Sequence, residues 1–355
     1  MKEININYDL LRIIDTLSVM LLHIATATTW TNYENTFNWY VVNSYVTILH
    51  WAVPCFVMIS GMIFLNPNKK ISIKTLYSKY IKRIIVAYLF WSALYSIYDI
   101  IAYGGSIKTF ITSTFNGHFH LWYLVMLIGL YMITPMIKKS IENMDKKTYE
   151  YWLLLGCIFT IAIPLIRKVK LLDTVLEQNL ETIGMGFVTG YIFYYLLGYY
   201  LYKYDVLPKQ RRAIYITTII TMIFCIFINN FSVMNLENRI YLLGPFDISS
   251  LSISVSMFLL AKYNFNNLLN NKMKKYIVMI SEVSFTMYLV HDFINLLFYR
   301  INFKNDLFNS ILSVPIIGIC VFILSFIVSL IIKKVSVKLK IQKDIIVREI
   351  KQWVG

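Results

Sequence analysis

The sequence predicts an all-α membrane protein, a polytopic bundle of about ten transmembrane helices. Three observations carry this reading. Hydrophobic residues make up 58% of the chain and charged residues only 15%, against about 45–50% and about 25% in soluble domains. Apolar stretches of roughly 18–23 residues recur along nearly the whole chain, each long enough to cross about 30 Å of hydrocarbon. The 27 Tyr, 23 Phe and 7 Trp are the residue types that anchor at the two membrane interfaces.

The first run, at 9–28, holds Arg12, Asp15 and His23, which the apolar core of a cleavable leader would lack. Further runs lie at 45–65, 84–103, 120–137, 151–166, 183–202, 213–232, 241–261, 277–299 and 310–332. In lipid, backbone polar groups must be satisfied inside a helix or a closed barrel. These runs are too long and too evenly apolar for barrel strands, which leaves helices. Alternate connections are rich in Lys and Arg. Together with Lys2 and the C-terminal stretch they hold 26 of the 34 basic residues, and the opposite connections hold 7. The positive-inside rule then places both termini in the cytoplasm of a cell membrane. Residues 1–332 read as one membrane domain. Residues 333–355 alternate basic and apolar side chains around Trp353 and read as an amphipathic cytoplasmic tail on anionic lipid.

A net charge of +15 does not indicate nucleic acid here, because the basic residues form short clusters between apolar runs. Cys55, Cys157, Cys225 and Cys320 each lie inside an apolar run and read as small packing residues. No HExxH or Cys/His cluster supports a metal, and no P-loop or GxGxxG supports a nucleotide. His118 and His120 would point apart on a helix.

Ionisable residues inside a membrane are candidates for function by default. Arg12 and His23 are eleven residues apart. That is three helical turns plus about 20°, so both project from one face, about 16 Å apart along the axis. Asp15 lies one turn from Arg12 and can pair with it. All five histidines, His23, His50, His118, His120 and His291, fall in the outer half or on the outer rim of the predicted topology. Lys79, Lys82 and Arg83 gather at the inner side. This polarity points to an anionic ligand held from inside and proton chemistry conducted toward the outside.

Four segments resemble the acyltransferase-3 family of multi-span membrane acyltransferases. Tyr8-Asp9-Leu10-Leu11-Arg12 followed after ten residues by His23 matches its Arg-x10-His signature. Val53-Pro54-Cys55-Phe56-Val57-Met58-Ile59-Ser60-Gly61 is similar to its second-helix pattern. His120-Leu121-Trp122-Tyr123-Leu124, running to Thr134-Pro135, resembles its "HLWYL…P" helix. Ser284-Phe285-Thr286-Met287-Tyr288-Leu289-Val290-His291 resembles its "SYxiYLxH" ending. Lys82-Arg83 matches a basic pair of the family. Asp15 departs from it, standing where a small apolar residue is common, and so does Cys55, where Leu or Phe is usual. The resemblance is to the stand-alone type, without the SGNH esterase domain that some members carry.

The resemblance implies transfer of an acyl group, usually acetyl, from cytoplasmic acyl-CoA to a hydroxyl of a cell-surface or lipid-linked glycan. Arg12, Lys79, Lys82 and Arg83 would then meet the donor's phosphates, with acetyl-CoA as donor substrate and no metal. His23 would be the general base, with Arg12 beside it in the catalytic set. Ser60, His120, Trp122, Tyr123, Tyr288 and His291 are the candidates for acceptor and oxyanion contacts. Glu34, Asp247 and Asp292 are the carboxylates that could orient His23. The expected partners are acyl-CoA, the glycan acceptor and the bilayer, with no nucleic acid. The rival reading is a glycolipid or metabolite transporter, whose expected mark is an internal repeat with broken helices; the sequence has no such repeat.

Overall fold

A computed structural model describes residues 6–27, 36–168, 183–231, 241–265, 269–304 and 307–354, with side chains from 339 onward outside that description. The described residues contain helices and no strand. In chain order the α-helices are α1 (Ile6–Ala27), α2 (Phe37–Leu49), α3 (Ala52–Phe64), α4 (Lys82–Tyr103), α5 (Ile107–Asn116), α6 (Trp122–Glu142), α7 (Lys146–Cys157), α8 (Ile163–Arg167), α9 (Tyr191–Lys203), α10 (Pro208–Phe231), α11 (Ile248–Tyr263), α12 (Asn271–Arg300) and α13 (Ser310–Val354). Among the described residues, seven helical runs are long and apolar enough to cross a membrane: Phe37–Phe64, Ile73–Tyr103, Ile107–Glu142, Lys146–Arg167, Pro208–Phe231, Asn271–Arg300 and Ser310–Lys338. The protein is therefore a multi-span helical membrane protein, as the composition predicts.

The helices overrun the apolar stretches read from sequence. Before α4 the chain is already helical from Ile73, through a π-helix at Leu76–Ile81. A hydropathy reading stops at Lys79, Lys82 and Arg83. The backbone does not, because a long basic side chain can carry its charge to the interface while its stem stays on the helix. The run read at 45–65 begins earlier, at Phe37, and is interrupted at His50–Trp51. Pro54 accounts for the interruption: it has no N–H to give to the carbonyl of His50, and its ring crowds that carbonyl.

The sixth predicted span, 183–202, is helical mainly over its second half. Gly184 and Gly190 take positive φ values of 67° and 64°, backbone that other residues rarely adopt, and they confine α9 to 13 residues. At 1.5 Å per residue that is about 20 Å, well short of the hydrocarbon thickness. Helix α11, with 16 residues, is also short.

The chain divides into two units, residues 1–28 with 269–355, and residues 29–268. In the first unit α1 packs against α12 and α13. Ser281 on α12 donates to Asp9 on α1 at 2.7 Å, and farther along both helices His291 meets His23. Both contacts ascend in sequence, so α1 and α12 run parallel, which an odd number of intervening crossings requires. Helix α13 runs back: Gly318 lies against Leu21 and Ile24, and Lys333 bonds Glu282 at 2.6 Å. It continues unbroken from the apolar run into the basic C-terminal stretch.

In the second unit α9 packs against α3 more extensively than any other pair. Gly61 and Gly198 explain why. A Cβ on Gly61 would overlap the backbone of Tyr195, and one on Gly198 the backbone of Met58. Small residues of this kind let helix backbones approach closely in lipid, where hydrophobicity alone does not drive association. The glycine of the Ser60-Gly61 pair thus has a packing role. Tyr195 Oη and Thr134 Oγ1 share a hydrogen bond of 2.8 Å, and Tyr149 Oη donates to the Leu196 carbonyl at 2.8 Å.

Candidate active site

Helix α1 carries Asp9, Arg12, Asp15 and His23. Asp9 is in its first turn, where the helix dipole favours a carboxylate. Its Oδ1 accepts from Arg12 at 3.2 Å and from Ser281 at 2.7 Å. The sequence offered Asp15 as the partner of Arg12; in the structure the partner is Asp9, one turn earlier. An acid three residues before a base on a helix is the better order for the dipole. Asp15 is fully buried. The Arg12 side chain keeps about a third of its surface exposed, 32%, while that of Asp9 keeps 10%. Asp9 thus holds the Nη1 end of the guanidinium, and part of the Arg12 side chain stays open to an anion.

At the other end of α1 the His23 ring is half-buried and meets His291, which is 1% exposed. His23 Nδ1 and His291 Nε2 are 3.0 Å apart, with ring centroids at 4.9 Å. His291 Nδ1 lies 2.6 Å from the Tyr288 carbonyl oxygen. Asp292, also 1% exposed, completes the group: one ligand atom from each of His23, His291 and Asp292 lies within 4.8 Å of the others. Two imidazoles and a carboxylate are a donor set that a divalent cation can use, but the direct contact between the two nitrogens is that of a shared proton.

Of the three carboxylates considered for His23, Asp292 lies beside it. Asp247 is held by Lys168, whose Nζ bonds its Oδ1 and also the Tyr241 carbonyl at 2.6 Å. Glu34 lies outside the described residues.

The remaining predicted residues belong to the second unit. Lys79 stands in the π-helix Leu76–Ile81, and Lys82 and Arg83 open α4; all three are exposed. A π-helical turn holds an extra residue and recurs at functional positions. Ser60 is half-buried on α3. Trp122 and Tyr123 begin α6, with ring centroids 5.7 Å from Tyr191 and 6.2 Å from Phe56. His120 is 1% exposed. Its Nδ1 lies 2.9 Å from His118 Nδ1, and both rings lie against Tyr95. The expectation that these two histidines point apart is corrected here. His118 is in extended backbone and His120 in a 3-10 turn, so helical geometry does not separate them.

Sequence reasoning gave no role to Asp9 or Ser281. The signal for Asp9 was its place three residues before Arg12. Nothing local marks Ser281, whose partner is 272 residues away.

The family model described as an acyltransferase domain, acyltransferase-3, matches residues 5–334, nearly the whole chain. The chain belongs to the acyltransferase-3 family. No curated protein and no solved structure matches it. As an acyltransferase-3 member it is a membrane-bound acyltransferase. In this acyltransferase-3 chain α1 is tied to α12 at two levels, through Asp9 and through His23.

Proposed function

We propose that the protein is an O-acyltransferase of the cell membrane, with both termini cytoplasmic. It moves an acetyl group from acetyl-CoA to a hydroxyl of a cell-surface or lipid-linked glycan. The observation that carries the chemistry is the His23–His291 contact inside a family of acyltransferases: a histidine held by a second histidine is equipped to accept a proton. His23 takes the proton of the acceptor hydroxyl as its oxygen attacks the thioester carbonyl. The C–S bond then breaks, and the departing CoA thiolate takes a proton from the His23 imidazolium. The new C–O bond is the ester, and no net proton is gained or lost.

Arg12, Lys79, Lys82 and Arg83 are the cations assigned to the donor's phosphates, and Tyr288, Ser60, His120, Trp122 and Tyr123 the acceptor or oxyanion contacts. The basic tail after residue 332 rests on the anionic inner leaflet. Membranes containing the protein should transfer label from radiolabelled acetyl-CoA to a glycan fraction. Label that stays in CoA while the glycolipid changes leaflet would favour a transporter instead.

The same assay separates binding from chemistry. Replacing Lys82 and Arg83 with Gln should raise the KM for acetyl-CoA several-fold and leave kcat nearly unchanged, since phosphate contacts are made equally in the ground and transition states. Added salt should mimic the substitution, because such charges are screened over about 8–10 Å. An unmoved KM assigns these residues to topology alone.

A further inference from the structure

We propose that His291 is a positioning residue that fixes the tautomer of His23, a role that rests on His23 being the base. The Tyr288 carbonyl oxygen has no proton to give, so His291 Nδ1, 2.6 Å away, carries one and donates it. A neutral imidazole with its proton on Nδ1 has a lone pair on Nε2. His291 Nε2 is the atom that faces His23 Nδ1 at 3.0 Å. The proton in that contact therefore belongs to His23 Nδ1. With Nδ1 protonated, the lone pair of His23 is on Nε2, and Nε2 is the atom that takes the acceptor's proton.

When that proton arrives, His23 has N–H groups at both positions. Its Nδ1–H still points at the His291 lone pair, so no hydrogen bond has to turn over during the transfer. The positive charge forms beside the Asp292 carboxylate, which belongs to the same close group. Were His291 itself charged, it would donate to His23 Nδ1 and force the His23 proton onto Nε2, leaving no base. The dyad works with His291 neutral, and the helix carbonyl determines which of its nitrogens accepts.

The test compares His291→Leu with His291→Gln, both read as label transferred from acetyl-CoA in membranes, with thermal stability measured in detergent. Leu removes the acceptor. Gln can set its amide oxygen near the position of Nε2. The expected result for Leu is a turnover loss of at least about 100-fold with the KM for acetyl-CoA unchanged, and for Gln recovery of most of that loss. A packing role would instead lower stability in both variants and leave the turnover of the folded fraction alone. Equal turnover losses in Leu and Gln overturn the proposal, as does wild-type turnover in the Leu variant. The His23→Ala variant separates this failure from that of the underlying reading: if it is active, His23 is not the base and both fall. Nitrogen-15 NMR of the intact protein with labelled histidine gives a readout independent of folding in the variants. His23 should show a pyrrole-type Nδ1 and a pyridine-type Nε2, and the reverse pattern overturns the proposal.

Discussion

His23→Ala should lose about 10²–10⁴-fold in acyl transfer, the range a positioned general base supplies, while remaining inserted and folded. The two halves of this expectation have different sources. The loss of activity follows from removing the group proposed to take the acceptor's proton. The retained fold follows from the small contribution of the contact that goes with it. The His23–His291 hydrogen bond joins α1 to α12, and interhelical hydrogen bonds in membranes contribute about 0.6–2 kcal/mol. Packing of α1 against α12 and α13 remains. Label transfer from acetyl-CoA and a melting curve in detergent check both halves. A stable variant with wild-type transfer would remove His23 from the chemistry.

The largest effect on stability is expected at Gly61 and Gly198. Either one changed to Ala puts a methyl group into backbone atoms of the facing helix, Tyr195 in one case and Met58 in the other. Main chain cannot swing aside as a flexible side chain can. Overpacking ordinarily costs about 1–3 kcal/mol, and here the helices must move apart, so the top of that range or beyond is expected. The double variant should fail to accumulate as folded protein. Gly129→Ala is the control. Nothing lies within 4 Å of a Cβ there, and a helical Gly→Ala change is favourable by about 0.5–1 kcal/mol. Detergent melting temperatures for the three variants decide the matter. If Gly61→Ala melts with the wild type, the close approach of α3 and α9 is not what holds that pair.

These effects show where the sequence could be read and where it could not. Hydropathy reports the solvent a segment sits in, and so it marked the chain as a multi-span helical membrane protein. It does not report backbone hydrogen bonding. The helix from Ile73 into α4 continues through charges, and the stretch at 183–190 is broken by two glycines although it is apolar. The Arg-x10-His spacing drew attention to α1, because helical periodicity is a local property. The partners of that helix are not local. His291 is 268 residues from His23, and its role depends on the Tyr288 carbonyl, an atom that every residue possesses. The glycines of α3 and α9 were visible as letters, but the backbone that each must admit belongs to another helix.

The polar ties between α1 and α12 have a mechanical consequence. Two helices whose facing surfaces are apolar can slide past one another in lipid with little change in contact energy, since lipid tails and leucines are much alike. Asp9–Ser281 and His23–His291 act as two pins through such a pair. A slip of one helical turn moves each partner about 5.4 Å, beyond the reach of both hydrogen bonds together. The pair therefore has a single register, and the pin formed by Asp9 helps keep the two imidazoles at the same level along the two helices.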